Sequence, residues 1–318
     1  MDPFRRDAAR PPRTGDGSHP AVPVRLDGLR RECSGMAETV LPVFFINLDR
    51  ALERRNFMER QAPRLGVTLV RVRATEAKDV DDADFAVMSR QWERPITRIE
   101  LAVLLSHAQL WRRAAESSAG VVILEDDAVL SPRFGDFLRS PPVEWDLVNL
   151  EWFGRRKYFR RSPADGETLP RISAVARDKA GAGAYYLSPA GARKLLDALG
   201  TDAAPADAFM YRHGRLRIAQ AEPALAIQAH ILAEEGIDPG IRTVTQIHQP
   251  RQRLSLRPGT MMYRARRVAG QLSLIRYQLG RLGPMVLRRP LIDFDEFRQA
   301  TAAVPEPQPR SSSAHTER

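Results

Sequence analysis

The chain carries one cysteine, Cys33, among its 318 residues. A single thiol excludes an intrachain disulfide framework and any cysteine-rich zinc site, and it suits a reducing compartment. Long apolar runs are missing as well: no stretch approaches the roughly 18 consecutive apolar residues of a membrane-spanning helix. The amino end, Met1-Asp2-Pro3-Phe4-Arg5-Arg6-Asp7, has none of the apolar core of a secretory signal. No glycine-rich loop follows an early strand-like segment, which removes the usual phosphate cradle. Lysine is scarce: Lys78, Lys157, Lys179 and Lys194 are its only occurrences, so almost all of the 49 basic residues are arginine. These absences leave a soluble or membrane-peripheral protein.

The positive charge that is present is concentrated at the ends. Of the net +10, residues 1–35 hold seven arginines against five acids, and residues 251–318 hold thirteen against five. The 36–250 body is therefore near neutral, and the location of the charge says more about partners than its total. Residues 1–35 show no apolar periodicity and are expected to be disordered. Met36, directly before the first strand-like run, is an alternative start of the chain.

Within the body, Val121-Val122-Ile123-Leu124-Glu125-Asp126-Asp127 stands out. An apolar, partly β-branched run predicts a buried strand. It ends in three carboxylates, and unpaired buried carboxylates are costly, so a cation or opposing basic groups are expected beside them. Ligands of α/β sheets sit at the carboxyl ends of strands. Two-residue alternation would point Glu125 and Asp127 one way and Asp126 the other, so that two oxygens could share one hard metal ion. A solvated acidic turn is the plainer alternative.

Strand and helix alternate around this segment, which predicts an α/β fold. Val43–Leu48 reads as a strand, with Asp49 as N-cap of a charged helix stopped by Gly66. Thr97-Arg98-Ile99-Glu100 is a capping box for a helix carrying Leu101, Leu104, Leu105, His107 and Trp111. Glu100 and His107 are expected to support the acidic strand. Residues 153–180 read as a basic, irregular excursion. Ala184-Tyr185-Tyr186-Leu187 is strand-like, one tyrosine being expected in the core and the other toward a ligand, and Ser188-Pro189 starts a helix ended by Gly200. From 251 to 292 there are ten arginines and no acid, and Met261, Ala265, Val268, Leu272, Ile275, Leu279 and Leu282 form one helical apolar stripe. That basic amphipathic tail, 251–298, can lie on an anionic membrane surface or pack its stripe on the body. Nucleic acid is not expected, since Tyr263 and Tyr277 offer few stacking platforms. Residues 299–318 are expected to be disordered.

Several of these blocks, in order, resemble glycosyltransferase family 25, bacterial enzymes of lipopolysaccharide and lipooligosaccharide assembly. They are Ile46-Asn47-Leu48-Asp49-Arg50 with Arg54-Arg55, Glu100 with Leu105-Ser106-His107 and Trp111, and Ile123 to Asp127. Ala184 to Ser188 with Gly191-Ala192 and Leu195-Leu196, then Ala206-Asp207, complete the set. The resemblance covers about residues 40–230. It implies a GT-A-like nucleotide-sugar fold with a mixed, mainly parallel central sheet in residues 36–250. It also implies an inverting mechanism, a UDP-sugar donor (often UDP-galactose), a divalent ion, Mn²⁺ or Mg²⁺, and a lipid-linked glycan acceptor at the cytoplasmic face of the inner membrane. Carried onto this chain, Glu125, Asp126 and Asp127 would hold metal, with Glu125 also a candidate for ribose. Asn47 and Asp49 would meet uracil or ribose, Arg54 or Arg55 would neutralise phosphate, and Asp207 would be the general base with Asp202 as competitor. Ala102-Val103 stands where the family often has Gly-Cys. A metal-dependent phosphotransferase or phosphohydrolase and a non-catalytic membrane-associated scaffold are the alternatives.

Overall fold

The computed structural model describes residues 40–161, 169–178, 181–212, 216–242 and 261–302. Strand β1 (Val43–Asn47) leads into helix α1 (Leu52–Leu65), which Gly66 closes in the left-handed conformation at φ 61°. The N-cap of α1 is Ala51, without a side-chain cap. Asp49 is not the cap, because it turns back to Arg71 and Arg73 of β2 (Leu69–Arg73). Helices α2 (Asp82–Met88) and α3 (Arg98–Glu116) follow, and the capping box of α3 is closed in both directions between Thr97 and Glu100. Strand β3 (Val121–Glu125) is separated by a two-residue turn from β4 (Ala128–Leu130), after which come α4 (Phe134–Arg139), β5 (Leu147–Asn149) and β6 (Glu151–Trp152).

The expected irregular excursion contains two ordered strands, β7 (Lys157–Arg160) and β8 (Arg171–Arg177). Their alternation is hidden by arginines, and the buried Lys157 takes a core-facing place by pairing with Asp178 at 2.6 Å and donating to Gln220. Strand β9 (Ala184–Leu187) then runs into α5 (Pro189–Leu199), whose N-cap Ser188 accepts from Gly191 N–H. Helix α6 (Ala206–Arg212), β10 (Ile218–Glu222), β11 (Ala226–Gln228) and α7 (Ala229–Glu234) complete the body. The tail forms α8 (Met261–Leu272), α9 (Ile275–Gly280), β12 (Met285–Arg288) and α10 (Phe294–Ala302).

Among the described residues, nine strands make one sheet in the order β12-β7-β8-β10-β5-β9-β3-β1-β2, and β4-β11-β6 make a smaller one. The large sheet is mixed, but the expectation of mainly parallel pairing does not hold. Only β1–β2, β1–β3 and β5–β10 are parallel, and the other five pairings are antiparallel. The reason is β9, which enters between β3 and β5 antiparallel to both. Ten residues separate β7 from β8, fewer than a parallel crossover needs, and that pair is antiparallel as well. Alternate residues of β3 feed opposite faces: Val122 and Leu124 pack with Phe45 and Tyr186, whereas Val121 and Ile123 pack with Trp111 and Tyr185. Burial on both faces explains the unbroken apolar run, each such side chain contributing roughly 1.5–3 kcal/mol.

The tail is not a separate helical appendage beyond a boundary at 250. Strand β12 extends the large sheet antiparallel to β7, and Phe297 of α10 is fully buried in the same cluster as Phe45. Helix α10 also reaches Ala302, past the expected start of disorder at 299. The expectations for residues 1–35 and for 303–318 lie outside the described residues.

Candidate active site

Parallel pairing sets the carboxyl ends of β1 and β3 side by side, with Ile46 opposite Glu125. Glu125 is the last strand residue, and its N–H donates to Gly183 O at 2.8 Å. Asp126 and Asp127 occupy the turn before β4, so the expected two-residue alternation does not extend to them. The turn is held by Ala229 N–H donating to Asp127 O at 2.9 Å. Chain reversal, rather than strand pleating, brings the three carboxylates together.

Arg54 is the opposing basic group. From the inner face of α1 it donates to Asp126 Oδ1 at 2.9 Å and lies 3.6 Å from Asp127 Oδ2. Arg55, one residue on and about 100° around the helix, points outward and pairs with Glu59 at 2.7 Å. Asn47, 1% exposed, donates to Asp126 Oδ2 at 2.8 Å and to Ala51 O, and accepts from Arg71 Nε. It therefore ties β1, β2, α1 and the acidic turn together. Asp49 stands at the more open rim beside Arg71 and Arg73, whose hydrogen bonds hold its carboxyl below the usual range.

The carboxylates are unequal. Both oxygens of Asp126 are engaged, by Arg54 and Asn47, although burial still pushes its pKa up. Asp127 Oδ1 is buried without a hydrogen-bond partner. Burial first, and then the charge of Glu125, push Asp127 up to about 7. Glu125 is 31% exposed, with Gln228 Nε2 at 3.4 Å and His107 Nε2 at 3.5 Å. His107 and Trp111 of α3 both meet the Tyr185 hydroxyl at 2.9 Å, so a buried chain of polar groups backs Glu125. Tyr185 and Tyr186 are both fully buried, which removes either from a sugar-facing role.

Asp207 lies in the first turn of α6, accepting from Ala208 N–H at 2.7 Å. Burial raises its pKa, and the charges of Glu125 and Glu100 add to the rise, which places it in the electrostatic neighbourhood of the acidic turn. Asp202 caps the loop after α5 through Ala203 N–H at 2.9 Å. Glu100 is committed to Thr97 and Arg94.

Glu151 and Gln228 escaped the sequence reading. Glu151, 1% exposed, accepts from Gly183 N–H at 2.9 Å, and its other oxygen has no hydrogen-bond partner. Burial and then the charge of Glu125 hold its pKa well above the ordinary value. A Cβ on Gly183 would fall 2.8 Å from Gln228 Nε2 and 2.9 Å from Glu151 Oε1, so only glycine admits this approach. The signal for Glu151 was present, since Leu147-Val148-Asn149-Leu150-Glu151 repeats the pattern of an apolar run ending in a carboxylate. Nothing local marks Gln228.

Among the described residues, no three His, Cys, Asp or Glu side chains are grouped so as to hold a metal ion by themselves. Mg²⁺-like ions commonly take only one or two carboxylates and complete their shell with substrate phosphates and water. Glu125 and Asp127 retain free acceptor capacity for that, and the unpartnered Asp127 oxygen fits it, whereas Asp126 is spent on Arg54 and Asn47.

Acid clustered at the carboxyl ends of neighbouring parallel strands and clamped by one arginine stands where α/β sheets bind their ligands. The comparisons narrow that reading. The profile described as glycosyltransferase family 25 (LPS biosynthesis protein) matches residues 40–210, and the chain belongs to that family. It is 28% identical over 170 residues to procollagen galactosyltransferase 1-B of Xenopus laevis, covering 49% of this chain and 28% of that protein. A glycosyltransferase 25 family member of Drosophila melanogaster is 28% identical over 189 residues, covering 53% of this chain and 30% of the relative. A rat protein named a probable inactive glycosyltransferase 25 family member 3 is 34% identical over 111 residues, covering 32% of this chain and 19% of its own length. The chain thus spans under a third of each of these relatives. The family supports a glycosyl-transfer role.

Proposed function

We propose that the chain is an inverting hexosyltransferase of GT-A-like fold. It moves a hexose, with galactose the first choice, from a UDP-sugar to a hydroxyl of a lipid-linked, lipopolysaccharide-type glycan. The observation that carries this reading is the acidic turn at the β3 end, with Arg54 half-buried against it and Asp207 near enough for the charge of Glu125 to raise its pKa. The names of the family and of the galactosyltransferase relatives supply the sugar chemistry.

In this reading the acceptor oxygen bonds to the anomeric carbon as that carbon's bond to the β-phosphate oxygen breaks. The electron pair leaves with UDP, and the hydroxyl proton passes to Asp207. A bound Mn²⁺ or Mg²⁺, held by Glu125 and Asp127, would supply charge stabilisation for the diphosphate. Arg54 positions the acidic turn and neutralises Asp126. Asn47 fixes that turn from below, and Asp49 at the open rim offers carboxylate acceptors to a ribose. Arg55 has no part. Burial raises the pKa of Asp207, which must be ionised to accept a proton, so turnover rises with pH through that pKa.

The test is UDP release from a panel of UDP-sugars with Mn²⁺ or Mg²⁺, for wild type and Asp207→Asn. The expected result is a loss of about 10²-fold or more in kcat with UDP-sugar binding retained. Full turnover by Asp207→Asn would pass the base role to Asp202. Absence of both turnover and UDP-sugar binding in the wild type would favour the scaffold reading, to which the name of the rat relative points.

A further inference from the structure

The apolar stripe of the tail faces the wrong way for a packing helix. Met261, Val268, Leu272, Ile275, Leu279 and Leu282 are all more than half exposed, from 51% at Ile275 to 88% at Leu282. The turn at Ser273–Leu274 does not interrupt the stripe, because Ser273 N–H still donates to Ala269 O and Tyr277 N–H to Leu274 O.

The opposite face, polar and aromatic, holds α8 and α9 to the body. Arg266 donates to Trp92 O at 3.2 Å, and Gly270 lies so close to Glu93 that a Cβ there would be 2.5 Å from its Oε1. Tyr277 is buried against Tyr158 with ring centroids 5.7 Å apart, and Arg276 lies 4.7 Å above its ring. These contacts fix the rotation of both helices and hold the stripe outward.

We propose that this face docks on an anionic lipid bilayer. A contiguous exposed apolar strip needs an occupant. The ten arginines and absent acids between 251 and 292 say which kind. Arg264 and Arg267 are exposed on α8 and Arg281 at the C-cap of α9, with no acid in the segment to neutralise them. A second copy of the chain would bring the same uncompensated charge to the same face, and like-charge juxtaposition opposes that pairing. Anionic headgroups match the arginines, while the stripe reaches the acyl boundary, about 5–10 Å deep for an interfacial helix. The inference is independent of the transfer reaction, because vesicle binding is read without turnover.

The experiment is flotation of the full chain with vesicles of phosphatidylcholine alone or with phosphatidylglycerol added. Binding is expected only to the anionic vesicles, and to weaken as salt rises. The exposed-site variant Leu272→Asp/Leu279→Asp should lower partitioning about tenfold or more. Arg264→Glu/Arg267→Glu/Arg281→Glu should do the same. Circular dichroism and turnover on a soluble acceptor should match wild type for both. No binding to anionic vesicles, or binding untouched by both variants, would overturn the proposal. So would a concentration-dependent dimer that Leu272→Asp/Leu279→Asp dissolves, which would assign the face to a second copy.

Discussion

Two buried carboxylate sites sit in the same half of the fold and are treated oppositely. Glu222, at the end of β10, has a fully buried side chain, yet every part of it is satisfied. Arg288 of β12 approaches with both terminal nitrogens, Ser173 Oγ donates to Oε2, Leu291 N–H donates to Oε1 at 2.9 Å, and Arg171 lies at 3.5 Å. Burial pushes its pKa up, but the hydrogen bonds from Arg288 and Ser173 outweigh that and hold it below the ordinary value. At the β3 end, one arginine serves two aspartates, and both Asp127 and Glu151 keep an oxygen without a hydrogen-bond partner. The first arrangement closes a sheet. The second leaves acceptor capacity unspent where a ligand would supply the missing cation or donors.

The contrast can be tested through stability. Arg288→Met strands Glu222 in the core and should cost about 3–5 kcal/mol in urea unfolding at pH 7. Glu222 has a lowered pKa in the folded state, so its contribution is present above its unfolded pKa of about 4.3 and fades as pH falls below it. The cost of Arg288→Met should shrink in acid accordingly, and a loss that is constant from pH 7 to pH 3 would deny Glu222 its structural role.

Asp127→Asn should act in the opposite direction. The folded-state pKa of Asp127 is raised from 3.8 to about 7, so the wild type loses stability as pH rises through that window. The asparagine variant should equal wild type near pH 4 and exceed it at pH 8, by at most about 4 kcal/mol, while losing transferase turnover. A less stable variant at pH 8 would mean that Asp127 is satisfied after all.

Arg55→Ala is the smallest change. Its exposed pair with Glu59 should contribute no more than about 0.5 kcal/mol, with turnover unchanged. A defect as deep as that of an Arg54 substitution would bring Arg55 back into the site.

Elements with a local signal were legible in the sequence. The capping box Thr97–Glu100 and the Ser188-Pro189 start are each written in adjacent residues. So is the apolar run of β3, including the carboxylates at its end. Signals that depend on distant partners were not legible. Arg288 lies 66 residues from the Glu222 it neutralises, and Lys157 is buried only because Gln220 and Asp178 meet it. The same holds for β7 and β8, whose arginines disguise paired strands as an irregular excursion, and for β12, which sits inside the expected helical tail. Within the site, the acidic triplet and Arg54 were readable, but alternation misassigned their directions because a turn, not a strand, carries Asp126 and Asp127. Periodicity likewise found the stripe of α8 and α9. It could not say which side of a helix meets water when arginine and tyrosine supply the docking contacts.

The pairing of β12 with β7 has a consequence for anyone trimming the protein. A chain cut at residue 250, where composition suggests a boundary, would not be a minimal catalytic core. It would bare the backbone of β7 as a new sheet edge, open to strand addition from another molecule. It would leave Glu222 without Arg288 and remove Phe297 from the cluster it fills. The segment that composition marks as a dispensable tail is thus the one that seals β7 against its neighbours.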